Sequence, residues 1–225
     1  MHNKHKGHAA VILCNGPSLL AADLDVLSES KTITFGLNKI NLLYPKTALR
    51  PNYIVAVNPY VIMQSREFIN NTETQLFLDH KVLKLGIRSR ENVSFLHSVD
   101  MPGTFAADCS FSVFQGFTVT YVALQLAYHM GFVRVALIGC DHDFVDKGPA
   151  NQVVVSGEKD NNHFDPGYFS GGDEWQSPDL LQSEISYQFA LKAFQDDGRK
   201  LYNATEGGKL EIFPRIDLQN FLEIT

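Results

Sequence analysis

The chain has 225 residues, a formal net charge of −6, and 44% apolar and 20% charged residues. These proportions are typical of a globular domain of ordinary size, and they exclude wholesale disorder. The acidic balance argues against a nucleic-acid binder, which needs surplus Lys and Arg to neutralise phosphates. An anionic small molecule is not excluded, since backbone N–H groups at a turn can hold a phosphate in an acidic protein.

The sequence carries no recognisable membrane-spanning stretch and no secretory signal. The first apolar run, residues 9–14, is far shorter than the roughly 18–20 residues that cross a bilayer. The three cysteines, Cys14, Cys109 and Cys140, match no zinc-binding spacing, and their number is odd. We therefore expect a cytoplasmic protein with reduced cysteines.

Short apolar runs alternate with helical stretches along the chain. Strands are predicted at residues 9–14, 32–35, 53–57, 75–78, 93–96, 133–138 and 201–203, and helices at residues 19–27, 38–43, 60–68, 118–130, 177–197 and 216–222. This alternation predicts a Rossmann-like α/β fold with a mainly parallel sheet and helices on both faces. We expect residues 1–225 to form a single domain. The polar residues 141–176, predicted to lack regular structure, form a lid-like insert, the lid segment.

Two predicted helices have clear boundaries in the sequence. The apolar helix over residues 118–130 is closed by Gly131, a residue typical of the position after a helix end. The next long helix is predicted to begin at Ser177-Pro178-Asp179, with Ser177 as the N-cap and Pro178 at the first helical position.

Polar side chains follow several predicted strands. Ligands of parallel α/β sheets bind beyond the carboxyl ends of the strands. Asn15, Asn38 and Asn58 each lie at such an end beside a turn residue. An amide can recognise a base, a ribose or a sugar hydroxyl, although asparagine is also a common turn former. Three of them at one sheet edge indicate a polar pocket.

Two turns are candidate anion sites, because each opens a helix. Gly16, Pro17 and Ser18 follow the first strand, where glycine lets a ligand approach the backbone and a helix N-terminus favours an anion. Gly116 and Thr118 open the apolar helix and form the second candidate. An ordinary turn at the first site, and a simple N-cap by Thr118 at the second, are alternatives that the residues leave open.

Candidate acid–base groups follow the strand predicted over residues 133–138. Asp141, His142 and Asp143 can bind a divalent metal or transfer protons there, but Asp141 can instead bond turn amides, and we favour that structural role. His163 lies in the lid segment, and a neutral imidazole is the best general base near pH 7. Aromatic side chains near it can close over a sugar or base, or pack the loop: Phe164, Tyr168, Phe169 and Trp175.

The order of four motifs resembles that of bacterial lipooligosaccharide sialyltransferases. The motifs are Cys14-Asn15-Gly16-Pro17-Ser18-Leu19, Phe35-Gly36-Leu37-Asn38, Val57-Asn58-Pro59 and Gly131…Ile138-Gly139-Cys140-Asp141. The same order occurs in a broader group of largely uncharacterised bacterial proteins, named after 6-hydroxymethylpterin diphosphokinase and the flagellar motility-accessory factors, to which the match is closer. The resemblance spans residues 9–203 and implies a single-domain, Rossmann-like glycosyltransferase fold with a mobile lid before the last long helix.

The resemblance also implies a site for a CMP-sugar donor. Asn15, Asn38 and Asn58 match asparagines that help to hold this donor, and the turn at residues 116–118 matches one that lines the nucleotide site. His163 is the nearest counterpart in order of the histidine that acts as general base on the acceptor hydroxyl.

The tyrosines that neutralise the leaving phosphate in those enzymes have no clear match after Asp141. Three explanations stay open. His142 and Lys147 take over the phosphate, Asp143 brings a divalent cation, or the donor differs.

The leading prediction is a glycosyltransferase-like enzyme of surface-polysaccharide synthesis. It transfers sialic acid or a related nonulosonic acid from a CMP-sugar to a glycan acceptor, with His163 as the base. One alternative is an ATP- and Mg²⁺-dependent pterin-type diphosphokinase with Asp141 and Asp143 as metal ligands. Another is a non-catalytic nucleotide- or glycan-binding module. Beyond a divalent metal no cofactor is expected, and a homo-oligomer stays open.

Overall fold

The fold consists of short strands and helices that alternate along the chain. In the computed structural model, which describes residues 1–144, 150–169 and 171–224, the strands are β1 (Ala9–Leu13), β2 (Ile33–Leu37), β3 (Tyr53–Ala56), β4 (Gln75–Asp79), β5 (Val93–Leu96), β6 (Ser98–Val99), β7 (Val113–Phe114), β8 (Arg134–Ile138), β9 (Val153–Val155), β10 (Glu174–Gln176) and β11 (Lys200–Asn203). The helices are α1 (Leu24–Glu29), α2 (Pro59–Gln64), α3 (Arg66–Asn71), α4 (Val119–His129), α5 (Leu180–Asp196) and α6 (Leu218–Glu223). Turns of 3₁₀ helix cover Pro17–Ala21, Ile40–Leu43 and His80–Leu85.

Seven strands form a central sheet in the order β11-β8-β1-β2-β3-β4-β5. Each neighbouring pair in it is parallel. The chain adds β2 to β5 on one side of β1 and then returns to place β8 on the other side. Such a reversal leaves a crevice at the carboxyl ends of β1 and β8, where ligands of parallel sheets bind. The predicted mainly parallel α/β fold is confirmed.

The sheet is buried on both faces, which explains the continuous apolar runs of its strands. Alternate residues of β1 point to opposite faces, so Ala10 and Ile12 join one apolar core while Val11 and Leu13 join the other. α4 lies in the first core, and nine of its eleven residues are buried, because it packs between the sheet and α5. Within the described part of the chain, no helix has both the length and the apolar character to cross a bilayer.

The boundaries of the two long helices agree largely with the sequence prediction. Gly131 follows α4 with φ of +87°, a left-handed conformation that explains the stop at this residue. The N-cap of α5 was assigned wrongly. Asp179 is the N-cap, and its carboxylate accepts a hydrogen bond from the Gln182 N–H at 3.0 Å, so the helix begins two residues later than Ser177-Pro178 predicts.

The short elements differ most from the sequence prediction. The helix expected over residues 38–43 is a 3₁₀ turn, and the one expected over residues 60–68 is divided at Ser65 into α2 and α3. The pair β6 and β7 was missed, since two residues are too few to show an alternating pattern. The lid segment does contain regular structure, because β9 and β10 pair as an antiparallel ribbon.

Candidate functional site

The carboxyl ends of β1, β2, β3 and β8 open into one cavity of about 620 Å³. Eight of the predicted site residues line it, namely Asn15, Gly16, Asn38, Asn58, Thr118, Asp141, His142 and His163. The other three, Pro17, Ser18 and Gly116, are not among its described lining residues. The parallel sheet therefore brings most of the predicted residues together from distant parts of the chain.

Asn15 and Asn58, two of the strand-end asparagines, differ in how their amides are used. The Asn15 Nδ2 donates to the Leu37 carbonyl at 3.1 Å, whereas its buried Oδ1 has no hydrogen-bond partner among the described residues. Asn58 accepts from the Tyr60 N–H at 2.9 Å and donates to the Gln176 amide oxygen at 3.2 Å. Buried acceptors are almost always paired, so the Asn15 Oδ1 is an acceptor available to a ligand.

The first predicted anion site is already filled by a carboxylate of the chain itself. Asp141 accepts a hydrogen bond from the Ser18 hydroxyl at 2.7 Å, and both its carboxylate oxygens lie 3.3 Å from the Ser18 backbone nitrogen. A carboxylate at the start of a helical turn does what a bound anion would do there. The expectation that Ser18 holds a substrate phosphate does not fit this geometry, and Asp141 occupies the structural position that its strand end favours.

The two glycines of the predicted anion sites are explained by packing. A Cβ on Gly16 would lie 1.9 Å from the Asp141 Oδ2, so glycine leaves room for that carboxylate. A Cβ on Gly116 would lie 2.2 Å from the Tyr121 ring, and this glycine also has φ of +56°. Neither space is open to a ligand. The expected close approach of a ligand at Gly116 is therefore not what the structure provides.

The residues that follow Asp141 form separate ion pairs. The His142 Nε2 lies 3.0 Å from the Glu184 carboxylate, and Asp143 pairs with Lys209 at 3.0 Å on the surface. Lys147 lies outside the described residues. Among the described residues, Asp141, His142 and Asp143 do not form a group of three metal-ligating atoms close enough for one ion.

His163 is held by a buried carboxylate that the sequence reasoning missed. Its Nδ1 lies 2.7 Å from the Asp160 Oδ2, and the Asp160 side chain is only 5% exposed. Burial raises the pKa of Asp160, but the hydrogen bond and charge of His163 outweigh this and lower it overall. Asp160 is therefore ionised at neutral pH. The Asp-x-x-His spacing was the signal in the sequence that could have indicated the pair.

The His163 ring is also fixed by an aromatic neighbour. It stacks on Tyr168 with ring centroids 3.9 Å apart and planes 1° from parallel, and Phe169 packs against its edge. Tyr168 is fully buried, and this burial raises the pKa of its phenol, which stays neutral. Carboxylate and ring stack together leave the imidazole little freedom to rotate.

Several residues outside the lid segment hold its described part over the strand ends. The Phe164 N–H donates to the Asn15 carbonyl at 2.9 Å. Lys39, only 6% exposed, donates from its Nζ to the Tyr168 carbonyl and lies 3.6 Å from the Asp173 carboxylate. Burial lowers the pKa of Lys39, an effect that the charge of Asp173 opposes. These contacts connect the lid segment directly to the turns that carry two of the asparagines.

The far wall of the cavity carries a hydroxyl that the sequence did not reveal. Tyr187 on α5 is buried, and its hydroxyl lies 3.5 Å from the Thr118 Oγ1 at the start of α4. Burial raises the pKa of Tyr187 well above its ordinary value, so the hydroxyl remains a hydrogen-bond donor. No motif in the sequence indicates a role for Tyr187, because it is one of several residues on the buried face of a helix.

The cavity is poor in positive charge. Its described lining contains four aspartates, Asp79, Asp100, Asp141 and Asp143, against one lysine, Lys81, and no arginine. The buried thiol of Cys14 adds no charge, because the neighbouring Cys140 thiol and burial raise its pKa well above normal. Amides, hydroxyls and imidazoles thus make up most of the remaining polar groups of the lining.

Comparisons with known proteins agree with this architecture. The sequence profile of the family described as 6-hydroxymethylpterin diphosphokinase MptE-like matches residues 1–147. The structure of a MAf glycosyltransferase from Magnetospirillum magneticum AMB-1 is similar in fold, with a TM-score of 0.60 and 15% sequence identity. The similarity covers 97% of this chain and 35% of that one, so the chain spans about a third of its length. Among curated proteins, none matches the sequence.

Proposed function

The chain belongs to the 6-hydroxymethylpterin diphosphokinase MptE-like family, and on that premise we propose that it is a glycosyltransferase-like enzyme. Its donor is a CMP-linked sialic acid or a related nonulosonic acid, and its acceptor is a glycan. The observation that carries this proposal is the pair of Asp160 and His163 in the cavity that the strand-end asparagines also line. The fold shared with a MAf glycosyltransferase supports the glycosyltransferase-like class.

The donor lies along the carboxyl ends of β1, β2 and β3. The unpaired Oδ1 of Asn15 accepts a hydrogen bond from a hydroxyl or amine of the donor, because a buried acceptor without a partner is costly. Asn38 and Asn58 contribute further polar contacts from the neighbouring strands. Gly16 stays in this site as part of the wall, while Asp141, which lines the same cavity, supports the turn through its bond to Ser18.

His163 acts as general base on the acceptor hydroxyl. The contact with Asp160 favours the tautomer with the proton on Nδ1, which leaves the lone pair on Nε2. The acceptor proton moves to that Nε2 while the hydroxyl oxygen bonds to the anomeric carbon. The bond between this carbon and the phosphate oxygen breaks, and its electron pair leaves with CMP. Asp160 stabilises the imidazolium that forms.

The leaving phosphate is met by hydrogen-bond donors at the start of α4. The hydroxyls of Thr118 and Tyr187 lie beside each other there, and His142 lies across from Tyr187 with ring centroids 6.1 Å apart. Donors aimed at developing charge are most effective where water is excluded. The described parts of the lid segment, residues 141–144, 150–169 and 171–176, supply that exclusion. We infer that they open to admit substrates and close for transfer within the single domain predicted for residues 1–225.

The family description favours a second candidate, a pterin-type diphosphokinase. That reaction needs Mg²⁺ and ATP, with carboxylates as metal ligands. Asp141 is bonded to Ser18 and Asp143 to Lys209, so both expected ligands have other partners. A non-catalytic nucleotide- or glycan-binding module is the remaining alternative, and it would need neither His163 nor Asp160.

The proposal is tested by following CMP release from CMP-sialic acid with a glycan mixture as acceptor. We expect His163→Ala to lower the rate by about 10²–10⁴-fold, the usual contribution of a general base, and Asp160→Asn by a smaller factor. CMP affinity should stay within about twofold of wild type in both variants, because neither residue is needed to hold the nucleotide.

His8→Ala is the matched control, since His8 is an exposed histidine that does not line the cavity. A His163→Ala variant that releases CMP at the wild-type rate would contradict the base role. CMP binding without any release from the wild type would favour the binding module.

A further inference from the structure

A second group of polar side chains lies away from the cavity, at the end of α4. His2, Asp108 and His129 each bring one nitrogen or oxygen atom to within 4.8 Å of the other two. Within residues 1–144, 150–169 and 171–224, this is the one group of three His, Cys, Asp or Glu side chains that meets so closely. The three residues come from the first residues of the chain, the loop before β7 and the last turn of α4.

The backbone already holds these residues close together. The Asn3 N–H donates to the His129 carbonyl at 3.0 Å, and the His5 N–H donates to the Met130 carbonyl at 2.8 Å. The rings of His2 and His129 are 5.1 Å apart between centroids, and the His129 Nδ1 lies 3.2 Å from the Asp108 Oδ1. Because the backbone already brings the three residues together, rotation of their side chains is enough to bind a ligand here.

We propose that His2, Asp108 and His129 bind a zinc ion that ties the first residues of the chain to the end of α4. Two imidazoles and one carboxylate are ligands typical of zinc and leave its fourth position to water. Mg²⁺ and Ca²⁺ prefer oxygen ligands only. Zinc needs ligand atoms at about 2.0–2.2 Å, and the exposed side chains of His2 and Asp108 can rotate to reach that distance.

Existing hydrogen bonds at the ring nitrogens must give way or rearrange. The Asn3 Nδ2 lies 2.8 Å from the His2 Nε2, so zinc either replaces this contact or binds His2 at Nδ1. The Cys109 N–H donates to the His129 Nδ1 at 3.2 Å. Zinc at the His129 Nδ1 replaces this hydrogen bond, because that nitrogen has a single lone pair. Asp108 then binds the same ion as a ligand beside it. Because α4 begins at the cavity wall, the metal would stabilise the helix whose other end meets the substrate.

The test is calorimetric titration of the full chain, freed of metal with EDTA and desalted, with zinc chloride. We expect the wild type to bind about one zinc ion per chain. His2→Gln and Asp108→Asn should each weaken the zinc affinity by at least about tenfold. The melting temperature of the wild type should rise with zinc and that of the two variants much less. Both replaced side chains are exposed, so the fold is kept.

His8→Gln is the matched control, because His8 belongs to the same segment but not to the group, and it should bind zinc as the wild type does. Equal zinc affinity in the wild type, His2→Gln and Asp108→Asn would overturn the proposal, as would a wild type that shows neither heat nor a shift in melting temperature. The measurement is independent of any transferase activity, so its result does not depend on the proposed function.

Discussion

The Asp141 carboxylate lies where the first helical turn would otherwise receive an anion. It bonds to the hydroxyl of Ser18 and lies close to its backbone nitrogen, and Gly16 leaves the space that the carboxylate fills. This contact between Asp141 and Ser18 stabilises the turn that fixes the position of Asn15. The proposed donor phosphate therefore lies away from this turn, and the hydroxyls of Thr118 and Tyr187 are among the cavity groups that can bind it.

This role of Asp141 predicts a loss of stability on substitution. Asp141→Ala leaves the half-buried Ser18 hydroxyl and N–H without their acceptor, which we expect to cost about 1–3 kcal/mol in the free energy of unfolding. Asp143→Ala removes only a surface pair with Lys209 and should cost less than about 1 kcal/mol. Urea denaturation measures both. Equal losses in the two variants would mean that Asp141 is not a structural support.

Single site residues could be predicted from the sequence where they directly follow a predicted strand. The asparagines after β1, β2 and β3 were predicted in this way, and His163 was predicted from its place in the lid segment. All four line one cavity. Asp160 and Tyr187 were missed because their roles depend on side-chain contacts that only the folded chain creates. Gly116 was misjudged for the same reason, since the Tyr121 ring against it lies outside any local motif.

The lid segment is the element on which the proposed chemistry depends most. Its ribbon of β9 and β10 does not join the central sheet. The lid segment is held to the rest of the domain by side-chain contacts and by the backbone bond from the Phe164 N–H to the Asn15 carbonyl. Lys39 is the most buried of these, with its Nζ bonded to the Tyr168 carbonyl and its charge near Asp173. Since Tyr168 in turn stacks on His163, Lys39 connects the body to the proposed base.

Replacement of this lysine should loosen the lid segment. In Lys39→Met the Tyr168 carbonyl loses a charged donor, which we expect to speed hydrogen exchange of the peptide spanning residues 160–176 by about tenfold. Lys192→Met is the matched control, because Lys192 pairs with Asp196 on the exposed face of α5 and should change nothing. Unchanged exchange in Lys39→Met would show that this lysine does not hold the lid segment.

Apolar strands of four or more residues and the long helices could be predicted from the sequence, whereas the strands of two and three residues were missed. The apolar helix that became α4 and the buried strand that became β8 were placed within one residue. The ribbon in the lid segment was missed because three-residue strands with exposed side chains show no apolar alternation. The start of α5 was misplaced because Ser177, Pro178 and Asp179 all suit a helix start, and only geometry shows which side chain caps.

At the scale of the whole molecule, the order of the strands decides where the site lies. β1 and β8 are neighbours at the reversal of strand order, so the turns after them face each other across one crevice. The acidic character of the chain, with its net charge of −6, extends to this crevice, since the described cavity wall contains one lysine and no arginine. A donor whose leaving group carries a single phosphate suits such a wall better than a triphosphate, which brings more charge to neutralise.

The most direct test is calorimetric titration of the wild type with CMP and with ATP, each with and without Mg²⁺. We predict that CMP binds at a one-to-one ratio without Mg²⁺, at least about tenfold more tightly than ATP. Asn15→Ala should weaken CMP by about tenfold, the loss of one buried hydrogen bond, while the exposed control Asn220→Ala leaves it unchanged. Absence of binding by CMP, or Mg²⁺-dependent binding of ATP in preference to it, would contradict a CMP-sugar site at this sheet edge.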